Sequence, residues 1–214
     1  MPNDWASSAH RIDHLSDLSE VIHARRSIRR YLDRPVPARS IDALLAAATR
    51  APSAHNRQPW RFAVVTTAAV KAQLADRLGA RLKADRLRDG DPLDDIERDV
   101  QRSRARISSA PVVIAVCLSM SAMDRYPDAR RSALERTMAV QSVAAAVQNL
   151  LLTAHDLGLG ACWMCAPLFA PEAVREALAL PADWEAQALI TLGYPADEGP
   201  RKERADFREK TLYR

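Results

Sequence analysis

The amino-acid sequence predicts one domain of the α+β or α/β class in which helices outnumber strands. Long segments carry apolar residues at helical spacing, the apolar runs that suit strands are few, and predicted helices separate those runs. The 214 residues suit one large domain or two small ones. Because no Gly/Ser-rich linker and no internal repeat divides the chain, a single domain is the prediction.

Two helices are predicted ahead of the first strand. Asp17, followed three residues later by Glu20, is typical of a helix start. Ser40 is predicted to cap the second helix, which ends near Ala51 because Pro52 disfavours helical geometry in the residue before it. A polar loop is then expected up to the first strand.

Three short apolar runs are predicted to be strands, since each is rich in aliphatic and β-branched residues. They cover residues 61–66, 112–117 and 187–192. The middle run is apolar throughout, which is typical of a strand covered on both faces.

The segments between the strands are predicted to be helical. Residues 68–109 have a leucine stripe, but their charge-rich part, residues 85–106, contains Gly90 and Pro92 and is expected to be a solvated lid or an excursion between helices. Residues 132–157 form the longest predicted helix. This helix is apolar on most sides, so we expect it in the domain centre or in a subunit interface.

The composition indicates a soluble, cytoplasmic protein. The 31 basic and 27 acidic residues give a net charge of +4 and are mixed along the chain, so no nucleic-acid partner is expected. Three cysteines are too few for a disulfide framework and are expected to be reduced thiols. No signal peptide is expected, and the polar residues within the uncharged stretch 137–154 favour a buried helix over a membrane span.

Two segments carry side chains that suit the binding of a cofactor. Residues 25–30 (RRSIRR) place guanidiniums and a hydroxyl beside a chain turn, which suits a phosphate; a solvated basic patch is the alternative. Residues 51–60 (APSAHNRQPW) present hydrogen-bonding side chains between two prolines, which suits a planar heterocycle. The alternative there is a turn of capping residues with Trp60 in the core.

Two further segments leave alternatives open. In residues 158–167 (GLGACWMCAP), the glycines permit close approach of the backbone to another group, while Cys162 and Cys165 raise thiol–disulfide chemistry as an alternative. The position of this pair after a long helix disfavours that chemistry, and without a second pair of ligands no metal site is expected. The basic tail at residues 201–204 is either a solvated terminus or a second set of cations for the anion bound by Arg25.

Taken in order along the chain, these segments resemble the FMN-dependent nitroreductase family. The resemblance rests on RRSIR near the N-terminus, then APSAHNRQPW, GLGACW after the long apolar helix, and RKER near the end, and it covers about residues 18–208. Residues 158–195 are similar in particular to the reductase domain of the bifunctional enzyme that matures the deazaflavin coenzyme.

The resemblance implies an α+β fold, a nitroreductase-like three-layer sandwich with a mainly antiparallel sheet flanked by helices. It also implies an intertwined homodimer with FMN at the interface, in which residues 132–157 form the interface helix. Residues 17–214 are then a single FMN-binding domain. Residues 1–16 are expected to be an N-terminal extension that is mobile or wraps around the dimer.

The resemblance further implies which residues contact FMN. One group binds the phosphate and the ribityl chain: Arg25, Arg26 and Ser27, with Arg29 close by and the tail cations Lys202 and Arg204. A second group approaches the flavin from the partner subunit: Ser53, Asn56 and Gln58. The backbone of a third group faces the isoalloxazine: Met164, Cys165 and Ala166.

The activity that the resemblance implies is ping-pong transfer of a hydride from NADH or NADPH, through flavin N5, to a small electron-poor acceptor such as a nitroaromatic, a quinone or an enone. The flavin carries the chemistry, so no catalytic side chain is required. His55, where many relatives carry a smaller hydroxyl residue, is a candidate for shaping the substrate face or donating a proton, with a structural role as the alternative. A dedicated reductase of a deazaflavin-coenzyme precursor and a non-catalytic flavin-binding protein are the alternative functions, and no membrane partner is expected.

Overall fold

A four-stranded antiparallel sheet forms the middle of the fold in the computed structural model, which describes residues 13–200 and 203–214. The strands are β1 (Trp60–Val65), β2 (Val112–Leu118), β3 (Gly160–Met164) and β4 (Glu185–Gly193). Their spatial order is β1-β2-β4-β3, and each strand runs antiparallel to its neighbours. The two edge strands are therefore β1 and β3.

Seven α-helices lie within the described residues and cover the sheet on both faces. They are α1 (Asp13–Ala24), α2 (Ala38–Ala48), α3 (Ala68–Arg88), α4 (Leu93–Ser108), α5 (Ala129–Asp156), α6 (Ala166–Phe169) and α7 (Pro171–Leu178). The first helix starts inside the N-terminal extension expected at residues 1–16, and residues 1–12 lie outside the described part of the chain.

The central strand β2 joins the two halves of the core, because its successive side chains point to opposite faces of the sheet. Ile114 and Val116 pack with α2 and α5 on one face, whereas Ala115 and Cys117 pack with α3 and α7 on the other. Every residue of β2 is buried, as expected for a strand covered on both faces. The predicted three-layer α+β sandwich with an antiparallel sheet is confirmed, and the α/β alternative is wrong.

The charge-rich segment at residues 85–106 is part of a helical hairpin formed by α3 and α4. Arg86 holds the turn of this hairpin, because its guanidinium donates to Asp91 and to Asp99, each at 2.6 Å. Further ion pairs join residues one helical turn apart along α4, Arg98 with Asp95 and Arg102 with Asp99. Neither a solvated lid nor an excursion between helices describes this segment, because all of it except residues 89–92 belongs to α3 or α4.

The longest helix, α5, packs one of its faces into the core. Ala139, Val143, Ala146 and Leu150 lie on that face, against α2 and the sheet. By length and composition α5 could cross a membrane, since one window of it has a mean hydropathy of 1.2. Its packing against the sheet instead supports the prediction of a buried helix in the domain centre.

Three local predictions were wrong. The first helix does not start at Asp17, because α1 begins at Asp13. Helix α2 begins at Ala38 with Pro37 in the N-cap position, so Ser40 lies inside the helix, and its N–H donates to the carbonyl of Pro37 at 2.9 Å. Proline suits a helix start because its φ angle is already close to the helical value. Strand β3 was not predicted, since it is short and begins with a glycine; it forms by pairing with β4.

Candidate functional site

The arginine-rich segment at residues 25–30 lies along the free edge of β3. Ser27 forms a parallel bridge with Ala161, and the N–H of Ile28 donates to the carbonyl of Ala161 at 3.0 Å. A few residues later, the N–H of Leu32 donates to the carbonyl of Tyr194 at 2.9 Å. These backbone bonds place the arginines beside the start of β3 and the loop that follows β4.

Tyr31 anchors the same segment from inside the core. Its hydroxyl lies 2.6 Å from the carbonyl of Ile28 and 2.8 Å from the hydroxyl of Thr191. Burial raises the pKa of Tyr31 above its ordinary value, so the phenol stays neutral and donates to the carbonyl. Tyr31 was not predicted to be an anchor, because the residues around it in the sequence form no motif that distinguishes it from any other tyrosine.

Gly160 permits the close approach of residues 25–30 to β3. A Cβ atom at this position would lie 2.7 Å from two side-chain carbons of Ile28, which is far inside ordinary contact distance. Ile28 is itself buried and follows Ser27 directly. The glycine that the sequence analysis assigned to close approach is therefore needed for the segment to lie against the strand.

Gly160→Ala should weaken FMN binding and lower the stability of the fold. The added methyl has to displace Ile28, and overpacking of this kind costs about 1–3 kcal/mol. Gly79→Ala is the control, since its Cβ would meet one side-chain carbon of Val100, at 3.1 Å, and the residue lies in a helix away from residues 25–30. Thermal unfolding and FMN titration of both variants test this; equal FMN affinity in Gly160→Ala and the wild type would contradict the assignment.

A cavity of about 850 Å³ opens beside this segment and collects the predicted phosphate ligands of one chain. Its lining includes one hydroxyl and four guanidiniums: Ser27, Arg25, Arg26, Arg29 and Arg204. Planar guanidiniums bind phosphate oxygens through paired, charge-assisted hydrogen bonds, so this set of donors fits a phosphate. Lys202, the remaining predicted cation, lies outside the described residues.

The four arginines differ in the partners they already have. The Arg26 guanidinium lies 3.6 Å from the carboxylate of Glu198, and Arg29 donates to the carbonyl of Ser27 at 3.3 Å. Arg25 forms no ion pair with any residue in the described ranges. Arg29 forms no ion pair there either, but its guanidinium donates to a carbonyl, so Arg25 is the cation of this segment whose guanidinium has no partner within the described ranges.

Gln148 of α5 lines the same cavity with its side chain exposed. Gln148 is one of the polar residues within the stretch predicted to be a buried helix, and its place at the site was not predicted. Polar residues that recur at helical spacing on one stripe of an otherwise apolar helix are the sequence signal that could have identified Gln148.

The loop at residues 52–59 lies elsewhere on the same chain and does not line the arginine cavity. Its residues His55, Asn56 and Gln58 have positive φ angles of +49°, +55° and +50°. The hydroxyl of Ser53 accepts the N–H of Gln58 at 3.1 Å, which closes the loop on itself. The side chains of His55, Asn56 and Gln58 are exposed at the surface of the chain.

Met164, Cys165 and Ala166 lie at the opposite end of β3 from the Ser27 bridge, where the strand passes into α6. Cys165 is exposed, whereas Cys162 is buried. Burial raises the pKa of the Cys162 thiol, although Arg29 and Arg106 favour the thiolate. A buried thiol of raised pKa is a poor nucleophile, which disfavours thiol–disulfide chemistry for this pair.

Known proteins resemble this chain over most of its length. The model of the nitroreductase family matches residues 22–194. The chain is 36% identical to a protein of Methanothermobacter thermautotrophicus, provisionally named NADH dehydrogenase/NAD(P)H nitroreductase, over 85% of this chain and 78% of that protein. It is 31% identical to a protein of Thermus thermophilus named NADH dehydrogenase, over 89% of this chain and 92% of that protein.

The similarity extends to the fold of a solved structure that contains a bound cofactor. The crystal structure of a protein from Desulfovibrio desulfuricans, provisionally assigned as a nitroreductase and in complex with FMN, matches this chain with a TM-score of 0.69. The two sequences are 32% identical, and the match covers 92% of this chain and 96% of that chain.

Proposed function

Because this chain belongs to the nitroreductase family, we propose that it is a cytoplasmic, homodimeric enzyme that passes electrons from NADH or NADPH, through FMN, to a small electron-poor acceptor. The chain is an NAD(P)H-dependent FMN oxidoreductase of the nitroreductase type. The proposed acceptor class comprises nitroaromatics, quinones and enones. When bound, FMN supplies the redox chemistry by accepting a hydride at N5 and passing it on.

The observation that supports this function best is the cavity beside the edge of β3. Arg25, Arg26, Ser27 and Arg29 line it together with Arg204, which comes from the far end of the chain. In our proposal these residues bind the FMN phosphate, and two separate segments of basic residues hold it without a covalent bond. The backbone at Met164, Cys165 and Ala166 then orients the isoalloxazine at the other end of β3.

The unpacked stripe of α5 supports the homodimer. Along this helix, exposed or half-buried residues follow alternate steps of four and three: Leu134, Met138, Gln141, Ala145, Gln148 and Leu152. Of these, Ala145 also packs against the core. This spacing is typical of a seam between two helices. Leu134 alone is 54% exposed, and a second copy of the chain is the natural cover for such a stripe.

Gln148 connects this seam to the cofactor site, since it belongs to the stripe and also lines the arginine cavity. A partner subunit that packs on α5 therefore comes next to the cavity. We propose that the loop at residues 52–59 of that partner supplies Ser53, Asn56 and Gln58 to the flavin, with His55 beside the substrate face.

The visible absorption spectrum of the purified protein is the test. We expect oxidised-flavin bands that bleach when NADH or NADPH is added without oxygen, and parallel lines in double-reciprocal plots of turnover. A colourless protein that takes up no added FMN would remove the proposal. Bound FMN that neither nicotinamide bleaches would instead indicate a flavin-binding protein without catalysis.

The acceptor is tested separately with the purified enzyme. Turnover with nitroaromatics and quinones is expected to exceed turnover with a deazaflavin-coenzyme precursor. The opposite order would replace the general reductase with a dedicated reductase of that precursor.

A further inference from the structure

We propose that the ion pair between Arg57 and Asp124, supported by Glu135, is a positioning element that holds the loop at residues 52–59 in the shape it presents to the flavin of the partner subunit. This inference rests on the proposed function. In this proposal Arg57, Asp124 and Glu135 belong to the site without contacting the FMN phosphate or the isoalloxazine ring. They act instead through Asn56 and Gln58.

The loop needs support from outside because its backbone is unfavourable. His55, Asn56 and Gln58 all lie in the left-handed region, which residues with a Cβ atom avoid. Asparagine tolerates this region better than histidine or glutamine, and none of the three is glycine. Such a conformation persists only where surrounding contacts determine it, and it concentrates at binding and catalytic sites.

Four polar contacts join this loop to the rest of the described fold, and two of them lie at its end: Arg61 donates to the carbonyl of Gln58 at 3.2 Å, and the N–H of Ser119 donates to the carbonyl of Pro59 at 2.8 Å. Inside the loop, Asn56 N–H donates to the carbonyl of Ser53 at 2.9 Å, and Gln58 N–H donates to the hydroxyl of Ser53 at 3.1 Å. Toward α5, the N–H of Ala54 lies 3.4 Å from the hydroxyl of Ser142, a long contact. The Arg57 guanidinium, placed between two of the left-handed residues, forms an ion pair with Asp124.

Asp124 is itself held in place by α5. Its backbone N–H donates to Oε1 of Glu135 at 3.1 Å. Glu135 is only 1% exposed, and its second oxygen, Oε2, is buried without a hydrogen-bond partner within residues 13–200 and 203–214. A buried carboxyl with one oxygen that lacks a hydrogen-bond partner lowers the stability of the fold. A role in holding Asp124 in place gives a reason why Glu135 is present despite this cost.

The same three residues connect the dimer seam to the loop. Glu135 follows Leu134, the first residue of the α5 stripe, and is buried, whereas Leu134 is exposed. The seam, the support at Asp124 and the loop at Arg57 therefore belong to one connected set of contacts. In the proposed dimer α5 also sets the position of the partner subunit. The same contacts therefore fix the position of the loop relative to the FMN site of the partner, which the loop is proposed to complete.

The test compares Arg57→Ala and Asp124→Asn with the wild type as reconstituted holoenzyme. We expect each variant to weaken FMN binding and to raise the acceptor KM by about two- to fivefold, because the two side chains are 41% and 35% exposed and solvent-screened pairs of this kind couple by amounts of that order. Since both variants break one interaction, the double variant should lose no more than either single one. Arg57→Lys, which keeps the positive charge, should recover part of the loss.

Asp95→Asn and Arg98→Ala are the matched control, since they break a solvent-exposed ion pair on α4, away from the loop. These control variants should leave FMN affinity and KM unchanged. The unfolding temperature of every variant is measured without FMN, so that a general loss of stability is separated from a loss of positioning. Wild-type FMN affinity and KM in folded Arg57→Ala and Asp124→Asn would overturn the inference.

Failure of the inference and failure of the proposed function give different results. If Arg25→Ala loses FMN while the Arg57 and Asp124 variants keep it, only the positioning role is wrong. If the wild-type protein binds no FMN, the proposed function is wrong and the positioning role is wrong with it.

Discussion

Arg25→Ala should give a folded protein that retains little FMN through purification. Arg25 lines the proposed phosphate cavity and forms no ion pair with another residue of the described ranges, so its charge is available to the ligand. A hydrogen bond to a charged group contributes about 1.5–3 kcal/mol. Its loss corresponds to an increase in the Kd for FMN of roughly 10- to 150-fold.

FMN titration followed by flavin fluorescence, together with the flavin content of the purified protein, measures this effect. Arg26→Ala should show a smaller loss, because Glu198 already shares the Arg26 guanidinium. Arg98→Ala on α4 controls for the removal of one positive charge and should bind FMN as the wild type does. Normal flavin content in both Arg25→Ala and Arg26→Ala would contradict the assignment of the phosphate site.

A mixed dimer of one Arg25→Ala chain and one Asn56→Gly chain should regain about half of the wild-type FMN sites, because the two-fold symmetry of a dimer creates two equivalent sites. In our proposal each site takes Arg25 from one subunit and Asn56 from the other. The mixed dimer then contains one site with both changes and one site with neither. Glycine is chosen at position 56 because the φ angle there is +55°, so the side chain is removed without backbone strain.

Differently tagged chains, expressed together and purified through both tags, provide the mixed dimer for measurement of flavin content and turnover. The two parent homodimers, which carry a defect in every site, are the controls. If each site were built from a single chain, the mixed dimer would contain two defective sites and would recover nothing. That result would contradict the contribution of the partner's loop.

Local sequence was sufficient for the parts of the fold that are governed by periodicity. Continuous apolar runs predicted β1, β2 and β4 to within a few residues, and the apolar pattern predicted α5, because burial of apolar surface dominates the choice of these elements. The motif at residues 25–30 likewise pointed to phosphate chemistry, since guanidiniums carry that chemistry wherever the fold places them.

Contacts between distant parts of the chain decided the rest. Strand β3 exists because β4 pairs with it, and Gly160 matters because Ile28 lies against it. Arg204 reaches the cavity of Arg25 from the other end of the chain, and Glu135 supports Asp124 across a turn. Sequence determined which chemical groups and which regular elements this protein has, because these follow from residue type and spacing. Only the tertiary structure decided which groups meet, because pairing and close approach depend on neighbours that local sequence does not specify.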